Sequence, residues 1–95
     1  MIAVKISFLS LLKDRMGVKE LNMDLEDNAI INDVFAKLFE KFGEDIKTVL
    51  VKNTGDLNDH VVIMLNENNI RSLDKLNTKI QNKDEIIFLP AIAGG

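Results

Sequence analysis

The spacing of hydrophobic positions changes several times along the chain, and each change predicts an element. Ile2, Val4, Ile6 and Phe8 alternate with Ala3, Lys5 and Ser7, the two-residue period of a half-buried strand. Ser10 to Met16 is long enough for about one helical turn, with Ser10 near its N-cap and Gly17 ending it. Alternation returns from Val18 to Leu25, where Leu21, Met23 and Leu25 are separated by Asn22 and Asp24. The short separation of these two strands predicts a hairpin-like pair. At Ile31 the period lengthens. Ile31, Val34, Phe35, Leu38, Phe39 and Phe42 form one stripe at helical spacing, and a stripe carrying three phenylalanines reads as the plug of a core. Asn28 or Asn32 is the expected cap, Asp33 and Lys41 complement the dipole, and Gly43 is expected to close the helix in the left-handed conformation.

Beyond Gly43, Glu44 to Val51 predicts a short helix with Ile46, Val49 and Leu50 facing inward. Lys52 to Asp59 reads as a polar, mobile loop. Val61-Val62-Ile63-Met64-Leu65 is apolar without alternation, as in a strand covered on both faces, and Asn66 to Asn69 is a turn. Ile70, Leu73, Leu76 and Ile80 are spaced irregularly, which predicts a short strand and a one-turn helix pinning a crossing segment to the core. After a turn at Asn82 to Asp84, Glu85 to Leu89 reads as the last strand, with Phe88 and Leu89 at its exit. Pro90 is expected to stop it, since proline brings no ladder donor.

Strands at both ends and one long helix between them predict an α+β fold, a mixed sheet with that helix on one face. A last strand apolar throughout belongs in the middle of the sheet, parallel to the first, which is the layout of a β-grasp. No composition shift, repeat or linker divides residues 1–95, so a single domain is expected, with a globular body over 1–89 and an extended tail over 90–95.

Composition narrows the function. Lysines alternate with acids and the net charge is -3, which leaves no basic stripe for nucleic acid. No apolar run approaches a membrane span and the N-terminus has no signal-peptide pattern. With no cysteine there is no thiol nucleophile, disulfide or cysteine-based metal site, in keeping with a cytoplasmic location. His60 is the single histidine, without a partner for metal binding or base catalysis, so no metal site is expected. The acid pairs Glu44-Asp45 and Asp84-Glu85 lie at turns and read as solvated surface.

What remains is the ending, Pro90-Ala91-Ile92-Ala93-Gly94-Gly95. At average glycine usage a Gly-Gly end arises by chance in roughly one chain in 200. Two glycines leave the carbonyl of Gly95 unhindered and let the peptide enter a narrow channel. A terminal glycine carboxylate is a substrate for adenylation by a partner enzyme using ATP. A sulfur nucleophile then leaves a thiocarboxylate, and an amine leaves an amide. Gly95 is thus the candidate reacting residue and Gly94 its slim neighbour, while Pro90, Ala91, Ile92 and Ala93 are expected to contact a partner. A frayed, inert end is the competing reading.

The residues Val61 to Asn66, Asn69-Ile70, Leu76-Asn77-Thr78-Lys79-Ile80, Asp84-Glu85-Ile86 and the Gly-Gly end resemble the small subunit of molybdopterin synthase. That family runs strand, Asn-Gly turn, Leu-x-Thr-x-Leu, Gly-Asp-Glu-Val and Phe-Pro-Pro-Val-Ala-Gly-Gly. The first half, from the Met1 to Phe8 strand to the helix near Ile31, resembles it more loosely. The resemblance implies a ubiquitin-like β-grasp sulfur carrier without catalytic side chains or a bound cofactor of its own. Its implied partners are an E1-like adenylyltransferase, which uses ATP on the terminal glycine, and the molybdopterin synthase large subunit, which receives the sulfur. Glu67, Lys83, Leu89 and Ala91 depart from the pattern, Ala91 replacing the second proline. Carriers for thiamine synthesis and tRNA thiolation and archaeal protein modifiers share the Gly-Gly end. A protein modifier acting through Gly95, and a β-grasp interaction domain with an inert tail, therefore stay open.

Overall fold

The computed structural model describes residues 1–91. Strand β1 (Ile2–Phe8) pairs antiparallel with β2 (Glu20–Leu25), from Ile2 opposite Leu25 to Ser7 opposite Glu20. Between them lies α1 (Leu11–Met16), whose buried Leu12 and Met16 tie it to the core. Ser10 holds the N-cap position but makes no side-chain cap bond, and Gly17 ends the helix in the left-handed conformation at φ 78°. The second strand starts at Glu20, two residues later than expected, because Gly17 first has to turn the chain.

The helical stripe forms α2 (Ile31–Phe42) with Ile31, Val34, Phe35 and Leu38 buried and Phe39 and Phe42 at the margin. Its cap is neither Asn28 nor Asn32. Ile30 occupies the N-cap and its N–H donates to the Asp33 carboxylate at 2.8 Å, while Asn28 takes a left-handed turn at φ 69°. Ile30 has no side-chain acceptor to offer, so only the reciprocal half of a capping box forms, and the Asp33 and Ile31 N–H groups find the carbonyls of Ile30 and Thr78. Gly43 follows at φ 92° and ψ -179°, an extended mirror-image conformation open to glycine and not the left-handed helical one expected. It links α2 to α3 (Glu44–Leu50), where Ile46 and Leu50 are buried and Val49 partly so.

Strands β3 (Val61–Leu65), β4 (Asn68–Asn69) and β5 (Glu85–Pro90) complete a sheet ordered β2-β1-β5-β3-β4 among the described residues. The last strand lies in the middle, parallel to β1 and antiparallel to β3. This is the mixed sheet of a ubiquitin-like β-grasp fold. The Phe35 ring of α2 sits 5.7 Å from Phe88 of β5, and Phe8 of β1 sits 5.2 Å from the same ring. Three aromatics from three elements thus meet at the strand that ends the described chain.

The connecting segments carry more ties than their polar sequences suggest. Between Asn69 and Ile80 the chain forms two 3-10 turns, Ile70–Ser72 and Lys75–Asn77, with Ile70 and Ile80 buried but Leu73 45% exposed. The segment is pinned by polar bonds as well as by apolar anchors. Thr78, the buried polar residue, accepts from the Asp74 N–H at 3.0 Å, and its carbonyl receives the Ile31 N–H at 3.0 Å. The 52–59 loop has a fixed root, since Leu57 is buried and bridges to Val51, and the Asp56 carbonyl accepts from Lys52 N–H at 2.8 Å.

Candidate functional site

The site is built on β5, whose residues alternate strictly despite their uniform apolarity. Ile86 and Phe88 point to α2 and are fully buried, so Ile87 and Leu89 face the other side of the sheet. No helix among the described residues covers that side. Register places Ile87 between Ser7 of β1 and Met64 of β3, and Leu89 opposite Val62. Directly opposed residues have Cβ atoms roughly 5 Å apart, so Val62, Met64, Ile87 and Leu89 form one continuous apolar patch. All four are half-buried. Val61 to Leu65 is therefore not covered on both faces as expected: Val61, Ile63 and Leu65 face the core, and Val62 and Met64 face out. Leu9, 39% exposed, flanks the patch, and its N–H donates to the Phe88 carbonyl at 3.0 Å.

The strand's entry is fixed by a polar cluster. Asp84 accepts from the Gln81 N–H at 2.8 Å and from Asn66 Nδ2 at 3.1 Å. The Asn66 side-chain oxygen in turn accepts from the Glu85 N–H at 3.0 Å. Asn66 itself stands at φ 57°, which asparagine tolerates better than most residues. The acid pair Asp84-Glu85, read as plain surface, thus has a structural half in Asp84.

At the exit, β5 ends on Pro90 itself, one residue beyond the expected Leu89. Pro90 stands opposite Val61 within β5, and one rung further the Ala91 N–H donates to the His60 carbonyl at 2.8 Å. Bonded and non-bonded pairs alternate along an antiparallel ladder, so Pro90 falls at a pair where no N–H is needed toward β3. Its missing donor faces the side where β1 has already ended at Phe8. Proline therefore costs this ladder nothing. His60 is exposed and contributes through its backbone.

Phe88, Leu89, Pro90 and Ala91 are brought together at one end of the sheet, with Phe88 as the buried root. Ile92, Ala93, Gly94 and Gly95 lie outside the described residues. Sequence reasoning missed Val62, Met64, Ile87 and Leu9. The parity of β5 relative to Phe88 was the available signal, but it names neighbours only once the register with β1 and β3 is known. Among the described residues no three His, Asp or Glu side chains stand close enough to hold a metal ion. Nor is any helix among them long and apolar enough to cross a membrane.

Comparison with known proteins agrees with this architecture. A candidate sulfur carrier protein of Archaeoglobus fulgidus is 32% identical over 76 residues, covering 80% of this chain and 84% of that protein. Small archaeal modifier protein 3 of Haloferax volcanii is 23% identical over 92 residues, covering 97% and 98%. The solution structure of small archaeal modifier protein 1 from Methanosarcina acetivorans superposes with a TM-score of 0.82 at 31% identity, covering 100% of this chain and 98% of that one. The profile of the ThiS family matches residues 7–95, and this chain belongs to that family of sulfur carriers and ubiquitin-like modifiers.

Proposed function

We propose that the chain is a sulfur carrier that reacts through the carboxylate of Gly95 and serves as the small subunit of a molybdopterin synthase. One observation carries this reading. Strand β5 is locked at Phe88 between Phe8 and Phe35, rimmed on the open face by Ile87 and Leu89, and hydrogen-bonded through Ala91 immediately before the Ile92-to-Gly95 end. A strand so held offers its end to a partner while the body stays rigid, and the apolar patch beside it gives that partner a place to dock.

The chemistry follows from a glycine carboxylate. In the site of an E1-like adenylyltransferase, a carboxylate oxygen of Gly95 attacks the α-phosphorus of ATP. A P–O bond forms and pyrophosphate leaves. Hydrosulfide then attacks the carbonyl carbon, the C–S bond forms, the C–O bond to phosphate breaks, and AMP leaves with the electron pair. The proton passes to solvent and a thiocarboxylate remains. The slim Gly94-Gly95 end then enters the large subunit, which takes the sulfur. The carrier supplies position, holds no cofactor, and works in the cytoplasm, where ATP and reduced sulfur coexist. The strand and turn pattern of residues 61–95 supports the molybdopterin branch, and the stretch from Phe42 to Asp59 speaks against the shorter thiamine carrier.

A second reading has its own support, the 31% identity to a small archaeal modifier protein over the whole chain. The same acyl-adenylate attacked by a lysine amine gives an isopeptide bond and AMP. Incubation with an E1-like enzyme, labelled ATP and pyrophosphate tests the shared first step. Isotope exchange that vanishes on deleting Gly95 is expected, and exchange that persists without Gly95 refutes both readings. Large conjugates in cell extract, with no thiocarboxylate, would favour the modifier.

A further inference from the structure

The sheet has two edges among the described residues, and they differ in kind. β4 is two residues long, too short to template a further strand. β2 is six residues long, carries neither proline nor glycine, and pairs with β1 in step over all six residues, without a bulge. Ladder phase fixes where its main chain points. The Lys5 N–H donates to the Asp84 carbonyl at 3.1 Å and the Ala3 carbonyl accepts from the Lys83 N–H at 2.7 Å, so both residues serve the β5 side of β1. Val4 and Ile6 therefore bond to Met23 and Leu21, and Glu20, Asn22 and Asp24 turn their N–H and carbonyl groups outward. Beside this edge runs a groove of about 450 Å³, lined by Leu21 and Met23 from β2 and by Lys37 and Lys41 from α2.

The side chains of Glu20, Asn22 and Asp24 stand exposed on the open face, and they decide what pairs here. In a second copy laid antiparallel about Asn22, each Glu20 meets an Asp24; about Met23, each Glu20 meets a Glu26. Like charges directly opposed destabilise a pair of strands. A strand with bases at those places gains what a second copy loses. We propose that the β2 edge is a docking site for an extended segment of a partner protein, added antiparallel as a further strand. Antiparallel addition lets the residues opposite Glu20, Asn22 and Asp24 share their face and exchange main-chain bonds with them. The segment carries Lys or Arg opposite Glu20 and Asp24, and apolar residues at the alternate positions turned toward the groove. Asp24 carries the larger share of the charge selection, because Glu20 already has Lys5 Nζ at 3.5 Å. This site goes beyond the carrier reading and does not depend on it, since neither Gly95 nor the apolar patch at Ile87 takes part.

The test is an amide NMR titration of the full chain with the peptide Ac-Val-Lys-Val-Thr-Val-Lys-Val-NH2, which has the same order in both directions. Saturable shifts are expected at the Asn22 and Asp24 amides. With peptide at about ten times Kd, the Asn22 amide is expected to exchange about tenfold more slowly. Replacing both peptide lysines by glutamate is expected to weaken binding at least about fivefold, as is Asp24→Lys in the protein. N-methylation of the peptide threonine keeps every charge but removes the donor to Asn22, and is expected to weaken binding about fivefold. Absence of saturable shifts at these two amides, a glutamate peptide as tight as the lysine one, or an N-methylated peptide as tight as its parent overturns the proposal. Shifts of the same amides on raising the protein concentration alone would make a second copy the occupant, and overturn it too. None of these outcomes bears on charging at Gly95, so the carrier reading stands or falls separately.

Discussion

Ile87 and Met64 stand directly opposite each other on the open face of the sheet, two residues along from the Leu89–Val62 pair. Half-buried apolar residues in adjoining central strands mark a docking patch better than scattered exposed leucines do. Ile87→Asp places a charge at its centre without entering the core. It is expected to weaken binding to the activating enzyme by about tenfold or more, ~1.4 kcal/mol. Asp24→Lys on β2 is the control, since Asp24 lies two strands away. Titration calorimetry reads both, and equal affinity for wild type and Ile87→Asp contradicts the assignment of the face.

The contact of Phe35 with Phe88 joins the main helix to the root of the strand end, at 5.7 Å between ring centroids. Phe35→Ala opens a cavity beside a fully buried ring, and the expected loss is about 3–5 kcal/mol in urea unfolding. A loss below about 1 kcal/mol would mean that the helix does not anchor β5 as described.

Asp84 holds the entry of β5 by accepting from Gln81 and Asn66. Asp84→Ala leaves the Gln81 N–H and the Asn66 amide to water, and the site is partly exposed. The expected cost is about 1–2 kcal/mol. Hydrogen exchange should quicken at Glu85, whose N–H is bonded to the Asn66 side chain. Unchanged exchange there would show that Asn66 is held without the carboxylate.

Arg71 braces the other side of the exit by bonding two main-chain carbonyls at once. Arg71→Met keeps the apolar stem but takes a donor from each carbonyl, and since the Asn58 carbonyl keeps the Val61 N–H the expected loss is about 1–2 kcal/mol. Arg71→Lys should recover only part of it, because an ammonium cannot span two carbonyls as a planar fork does. Full recovery by lysine, measured by thermal melting, would argue against the forked geometry.

The parts of the fold legible in the sequence are those where one physical signal acts alone. The stripe from Ile31 to Phe42 repeats at helical period over twelve residues, and α2 occupies the same span. β1 was legible from its alternation. The central place of β5 was legible because a strand apolar on both faces has to be sheltered by neighbours. Where two signals compete, the reading fails. Ile30 holds the N-cap because its own N–H finds the Asp33 carboxylate, a detail hidden behind the better-capping asparagines nearby. Pro90 is the last residue inside the strand and not the first beyond it, because ladder phase, invisible without register, puts its missing donor where none is needed. For the same reason the candidate site was half legible. Phe88, Leu89, Pro90 and Ala91 could be named from chain order, whereas Val62 and Met64 join them only through pairing across strands.

The most direct measurement is the intact mass of the protein after incubation with an E1-like adenylyltransferase, ATP and a sulfur donor. The expected result is one oxygen exchanged for sulfur, located by fragmentation to Gly95 and lost when Gly95 is deleted. A protein that forms the acyl-adenylate yet returns at its original mass, with no sulfur at Gly95 under any donor, would contradict the sulfur-carrier function.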